Sequence, residues 1–132
     1  MRSVWIAPSA FVDQAVSANA GWYTLPVFDE KFPYGLQDSP VTEAQVEQFF
    51  RRPLVLQLGE MDTNPHHPTL RRNAAADRQG PHRYARGLNF FAVAKREAAE
   101  RGIPLAWRLV TVPGVNHSDA KMAASAAAVL FS

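Results

Sequence analysis

Leu54-Val55-Leu56-Gln57-Leu58-Gly59-Glu60-Met61-Asp62 carries the strongest local signal of the fold. Residues 54–58 are apolar except Gln57, and Gly59 ends the run. A short, nearly continuous apolar run is the mark of a strand buried on both faces, as in a parallel sheet covered by helices. Upstream, Thr42-Glu43-Ala44-Gln45 has the spacing of a capping box, so a helix is expected from there to about Arg51, stopped by Pro53. Downstream lies a polar stretch from Asp62 to about Gly80, rich in Asn, Pro and His, read as a long loop. A long helix is expected over 82–101, with Phe90, Phe91, Ala94 and Ala98 on one apolar face and Gly102 at its stop. Leu105 to Val112 reads as another strand and 113–117 as a turn. Ser118 is placed to cap an alanine-rich closing helix.

Before Leu54, the segment from Phe11 to Ala18 reads as a first strand. An aromatic, proline-rich loop from Trp22 to Tyr34 follows, too aromatic for a disordered segment. Strands alternating with helices imply right-handed crossovers, a parallel sheet and an α/β fold with flanking helices. The chain of 132 residues is expected to be one domain.

Composition narrows the function classes. The formal net charge is +2 and the arginines are scattered, which is not the pattern of a nucleic-acid binder. Cysteine is absent, so thiolate chemistry and disulfides are excluded. No apolar run is long enough for a bilayer-spanning helix, so no membrane contact is expected. Met1 to Pro8 begins like a signal peptide but lacks a full apolar stretch and a cleavage site. No cofactor is implied.

In open parallel sheets, ligands bind at the carboxyl ends of the strands. Asp62 follows the second strand and His117 the third, so both are expected at one sheet edge. A carboxylate beside an imidazole fixes the ring's tautomer and stabilises the imidazolium. Glu60 is the competing acid, ranked second because it abuts the strand end. His66 and His67 are read as surface loop residues, or at most as lining of the site entrance. Adjacent histidines are a poor match to zinc-ligand spacing. His82 is read as structural. Arg71 and Arg72 are either a solvated pair or a tie that holds the loop down. Trp22 and Tyr23 follow the first strand at the functional edge. They either form a substrate-binding wall or fill the core under the loop.

The strand ending in Gly59-Glu60-Met61-Asp62, the long helix, the strand ending in a turn with His117 and the closing helix resemble the last third of the α/β-hydrolase fold. Ala18-Asn19-Ala20-Gly21-Trp22-Tyr23-Thr24 and Trp107 through His117 look like bacterial esterases related to polyhydroxyalkanoate depolymerases. The resemblance runs from about Phe11 onward. It implies that the three strands belong to a doubly wound sheet, that Asp62 is the triad acid and His117 the general base, and that the parent substrate is an ester. The fold's nucleophile sits in Gly-x-Ser-x-Gly. None of Ser3, Ser9, Ser17, Ser39, Ser118, Ser125 and Ser132 lies in that pattern. The chain is therefore expected to be a C-terminal fragment, inactive alone, with its first strand open to a second copy or to a complementing N-terminal part. The rival expectation is a non-catalytic α/β binding module that uses the loop from Trp22 to Tyr34.

Overall fold

The computed structural model describes residues 15–18 and 20–117. The expected helix after Ser118 and the start of the first strand lie outside these residues. The described elements are strand β1 (Ala15–Ala18), helix α1 (Glu43–Arg51), strand β2 (Leu54–Gly59), helices α2 (Ala74–Gln79) and α3 (Arg83–Glu100), and strand β3 (Trp107–Val112). The chain is a mixed helix and strand protein with parallel pairing. Leu54 to Gly59 of β2 pair in parallel with Trp107 to Val112 of β3, and β1 pairs in parallel with β2 on its other side. Every residue of β2 is buried, polar Gln57 included, as its nearly continuous apolar run leads one to expect.

The helix ends follow from local chemistry. Thr42 accepts from the N–H of Gln45, whose side chain accepts from the N–H of Thr42, the reciprocal capping box. His82 caps α3, its Nδ1 accepting from the N–H of Ala85. At the far end the Ile103 N–H donates to Ala98 O and the Gly102 N–H to Ala99 O. That is the bond pair of a glycine-closed helix, and Gly102 has φ 67°.

Two expectations need correction. The stretch from Asp62 to Gly80 is not all loop, because it contains α2. Asn73 starts that helix by accepting the Ala76 N–H. Six residues with three alanines give too little apolar periodicity to mark a helix. The last strand begins at Trp107 rather than Leu105, because the Ala106 N–H is drawn off to Phe50 O and leaves the ladder.

The core lies between the sheet and the helices α1 and α3. Phe50, Phe90, Leu56, Leu58 and Tyr23 are fully or almost fully buried there. Trp107 packs on Phe49, Phe50 and Phe90 and donates its indole N–H to Phe49 O. One cation is also fully buried: the Arg86 guanidinium donates to the carbonyls of Gly80, Gly21 and Arg71 and to Asp77. It thereby holds three separate loops against α3.

Candidate functional site

The site is built where β2 and β3 end side by side. Past Gly59 the chain turns, with the Glu60 N–H still donating to Val112 O and the Met61 N–H to Val115 O. The Asp62 N–H closes the turn onto Gly59 O, and the Asp62 carbonyl accepts the Tyr84 N–H from the first turn of α3. That N–H has no partner within the helix, so the helix end and the acid's backbone satisfy each other. Asp62 is thus fixed from both sides.

Gly59 permits this arrangement. A Cβ at that position would stand 2.5 Å from Val115 O, a backbone atom that cannot swing aside. Gly59→Ala is therefore expected to push the 113–117 turn outward and break the Met61–Val115 bond, costing about 1–3 kcal/mol. Urea unfolding of the variant measures this directly; an unchanged midpoint would mean that the turn yields freely.

The turn carries His117 to Asp62. The two are 55 residues apart in sequence, yet His117 Nδ1 lies 3.4 Å from Asp62 Oδ2. The distance is at the long end for a hydrogen bond, as is common where substrate has yet to tighten the geometry. Asp62 is 5% exposed and the His117 side chain 22%, so the acid is sheltered and the ring opens to solvent. With Nδ1 facing the carboxylate, Nε2 is left for chemistry.

Both residues line a cavity of about 260 Å³ with Met61, Asn64, His67 and Asn116. The His67 and His117 rings meet edge to face with centroids 5.0 Å apart. A larger cavity of about 330 Å³ lies at Phe28, Glu43, Arg96, Glu97 and Arg101. Most of its charges pair locally, Arg101 with Glu43 and Glu47 and Arg96 with Glu97.

The other expected site residues fall elsewhere. Tyr23 is fully buried and stacks on Phe90 at 4.6 Å. Burial, and then the negative charge of Asp62, push its hydroxyl pKa far up. Its backbone is clamped by buried Gln79, which accepts from the Tyr23 N–H and donates to its carbonyl. Trp22 is buried against Tyr34 and under the Arg71 guanidinium, 4.7 Å from its ring. Neither lines the cavity at Asp62 and His117, and in this structure both pack into the interior. Arg71 also donates to the Tyr34 hydroxyl, and Arg72 to Asp77 and to Pro65 O, so the arginine pair ties the loop down. Glu60 does not line the pocket. His67 does, while Asn64 and Asn116 carried no signal in the sequence beyond their nearness to Asp62 and His117.

No family profile matches the sequence, and neither does any curated protein. Solved structures do. Poly(aspartic acid) hydrolase-1 from Sphingomonas sp. KT-1 matches with a TM-score of 0.87 and 39% identity, over 90% of this chain and 45% of that one. LpqC, a poly(3-hydroxybutyrate) depolymerase from Bordetella parapertussis, matches with a TM-score of 0.85 and 39% identity, over 89% of this chain and 40% of that one. Over the matched stretch the chain is similar to these two hydrolases, one of them a depolymerase. It spans less than half the length of either of these two. Among the described residues no helix is long and apolar enough to cross a membrane, and no group of three or more His, Cys, Asp or Glu is arranged to hold a metal ion.

Proposed function

We propose that this chain is the C-terminal part of an ester hydrolase of the α/β-hydrolase fold, one partial domain whose three parallel strands belong to a larger doubly wound sheet. In this reading Asp62 is the triad acid and His117 the general base. The observation that carries it is the approach of His117 Nδ1 to Asp62 Oδ2 from the ends of adjacent parallel strands. The likeness to depolymerase hydrolases supports it.

The chemistry follows from that pair. His117 Nε2 takes the proton of a serine hydroxyl as its oxygen attacks the acyl carbon. Asp62 holds the ring in place and offsets the imidazolium charge. The ring then gives the proton to the alkoxide as the acyl–oxygen bond breaks, and a water molecule repeats the sequence to release the acid. The serine belongs to a nucleophile elbow that no serine of this chain reproduces. The chain alone is therefore inactive. Its outer strand β1 is where the complementing part, or a second copy, would pair. The substrate is an ester, and the polyester of the Bordetella relative is the first to try.

The test is a chimera in which this chain replaces the matched stretch of the Bordetella enzyme. Hydrolysis of p-nitrophenyl butyrate is expected from the chimera and not from the chain alone. A folded chimera without turnover, or phosphonate-sensitive turnover by the chain alone, contradicts the reading.

A further inference from the structure

A second imidazole of the pocket is held as deliberately as the first. The loop carrying His67 is ordered locally: the His66 N–H donates to Asn64 Oδ1, and the Leu70 N–H donates to His67 O. The ring itself is oriented from behind. The Thr69 N–H donates to His67 Nδ1 at 3.2 Å, so that nitrogen is an acceptor. The Thr69 hydroxyl stands 2.9 Å from the same nitrogen. Arg83 Nη2 donates to the Thr69 oxygen at 2.8 Å, which turns the hydroxyl hydrogen toward Nδ1. Arg83 is buried, and its Nε and Nη1 have no hydrogen-bond partner. Its polarity is thus spent on this one hydroxyl. The chain of donors runs from the first residue of α3 through Thr69 to His67. An imidazole whose Nδ1 accepts carries its hydrogen on Nε2 when neutral.

We propose that His67 is a substrate-positioning residue of the Asp62–His117 pocket, fixed by Thr69 and Arg83 as an Nε2–H donor to a carbonyl or carboxylate oxygen of the acyl substrate. The inference rests on reading that pocket as a hydrolase site. The two rings make edge contact at 5.0 Å, so a substrate atom touching His117 is also within reach of His67. They hold opposite roles. His117 turns Nδ1 toward a carboxylate acceptor, which leaves an Nε2 lone pair for a proton. His67 turns Nδ1 toward donors, which leaves an Nε2–H for an oxygen. A base and a donor side by side match an acyl group, whose carbonyl must be held while a proton moves.

The test uses the full chain labelled with ¹⁵N, long-range ¹H–¹⁵N spectra of the imidazoles, and 3-hydroxybutyrate as the probe, with sodium chloride at equal ionic strength as control. The neutral His67 ring is expected as the Nε2–H tautomer, and the probe is expected to shift its Nε2 resonance where chloride does not. His67→Phe should weaken the probe about three- to tenfold, the worth of one neutral hydrogen bond. His67→Gln, which restores an N–H donor, should recover part of that loss, and His66→Ala should change nothing. An Nδ1–H tautomer at His67, no probe-dependent shift in the parent chain, or equal affinity in His67→Phe overturns the proposal. The His117 resonances are read in the same spectra. A His117 ring in the Nδ1–H form beside a silent His67 sinks only this inference, whereas the reverse result sinks the reading of the site.

Discussion

Replacing His117 by alanine in the active chimera is expected to lower the turnover of p-nitrophenyl butyrate by about 10⁵–10⁶-fold, with substrate affinity little changed. Among the described residues His117 is the base hydrogen-bonded to Asp62, while His67, which lines the same cavity, turns its Nδ1 to Thr69. Asp62→Asn keeps the shape of the acid and loses its charge. An amide can donate to Nδ1, which favours the wrong tautomer, so a loss of about 10⁴-fold is expected. The double variant should lose no more than His117→Ala alone, because the two act as a unit. Steady-state kinetics on the three chimeras decides the matter. A loss under about tenfold for His117→Ala would remove the histidine from the mechanism.

The largest expected effect on stability lies away from the pocket. Arg86→Met is expected to destabilise the protein by about 3–5 kcal/mol, since it leaves buried polar groups without partners. The guanidinium donates at 2.8 Å to each of the Gly80, Gly21 and Arg71 carbonyls, with Asp77 at 3.3 Å. Methionine matches the volume of the stem and offers none of these donors. Asp77 keeps its pairing to Arg72, so the loss falls on the three carbonyls. Lysine restores the charge but cannot reach three carbonyls from one fixed fork, so Arg86→Lys should recover less than half of the loss. Urea denaturation measures both. A shift under about 1 kcal/mol for Arg86→Met would mean that the carbonyls find water instead.

Arg86 gave no signal in the sequence. It sits among other arginines in a polar stretch, and its role depends on Gly21 and Arg71, which are brought near only by folding. The same holds for Gln79, whose clamp on Tyr23 spans 56 positions. By contrast, the parallel pairing of β2 with β3 was legible, because apolar runs and glycine stops are local signals. So was the juxtaposition of Asp62 and His117, since two residues that follow neighbouring parallel strands emerge at one edge whatever the loops do. The capping box at Thr42 was readable for the same local reason. Trp22 and Tyr23 could not be decided in advance, because an aromatic pair after a strand suits a pocket wall and a core equally well. In the structure they pack on Tyr34 of the same loop and on Phe90 and Arg71, which are far away in sequence. His67 stood between two prolines' worth of loop, and its orientation depends on Thr69 and on Arg83, which lies 14 positions beyond Thr69.

Catalysis by this pair requires Asp62 to accept the hydrogen of His117 Nδ1, which leaves Nε2 free to take a proton. The tautomer of His117 in its neutral ring, read from long-range ¹H–¹⁵N correlations of the full chain and of Asp62→Asn, tests this most directly. The predicted result is the Nδ1–H form in the parent chain, opposite to the form that free histidine favours, and a swing toward Nε2–H in the variant. An Nε2–H ring in the parent chain, or a tautomer indifferent to Asp62→Asn, would show that Asp62 does not hold the His117 ring in this form.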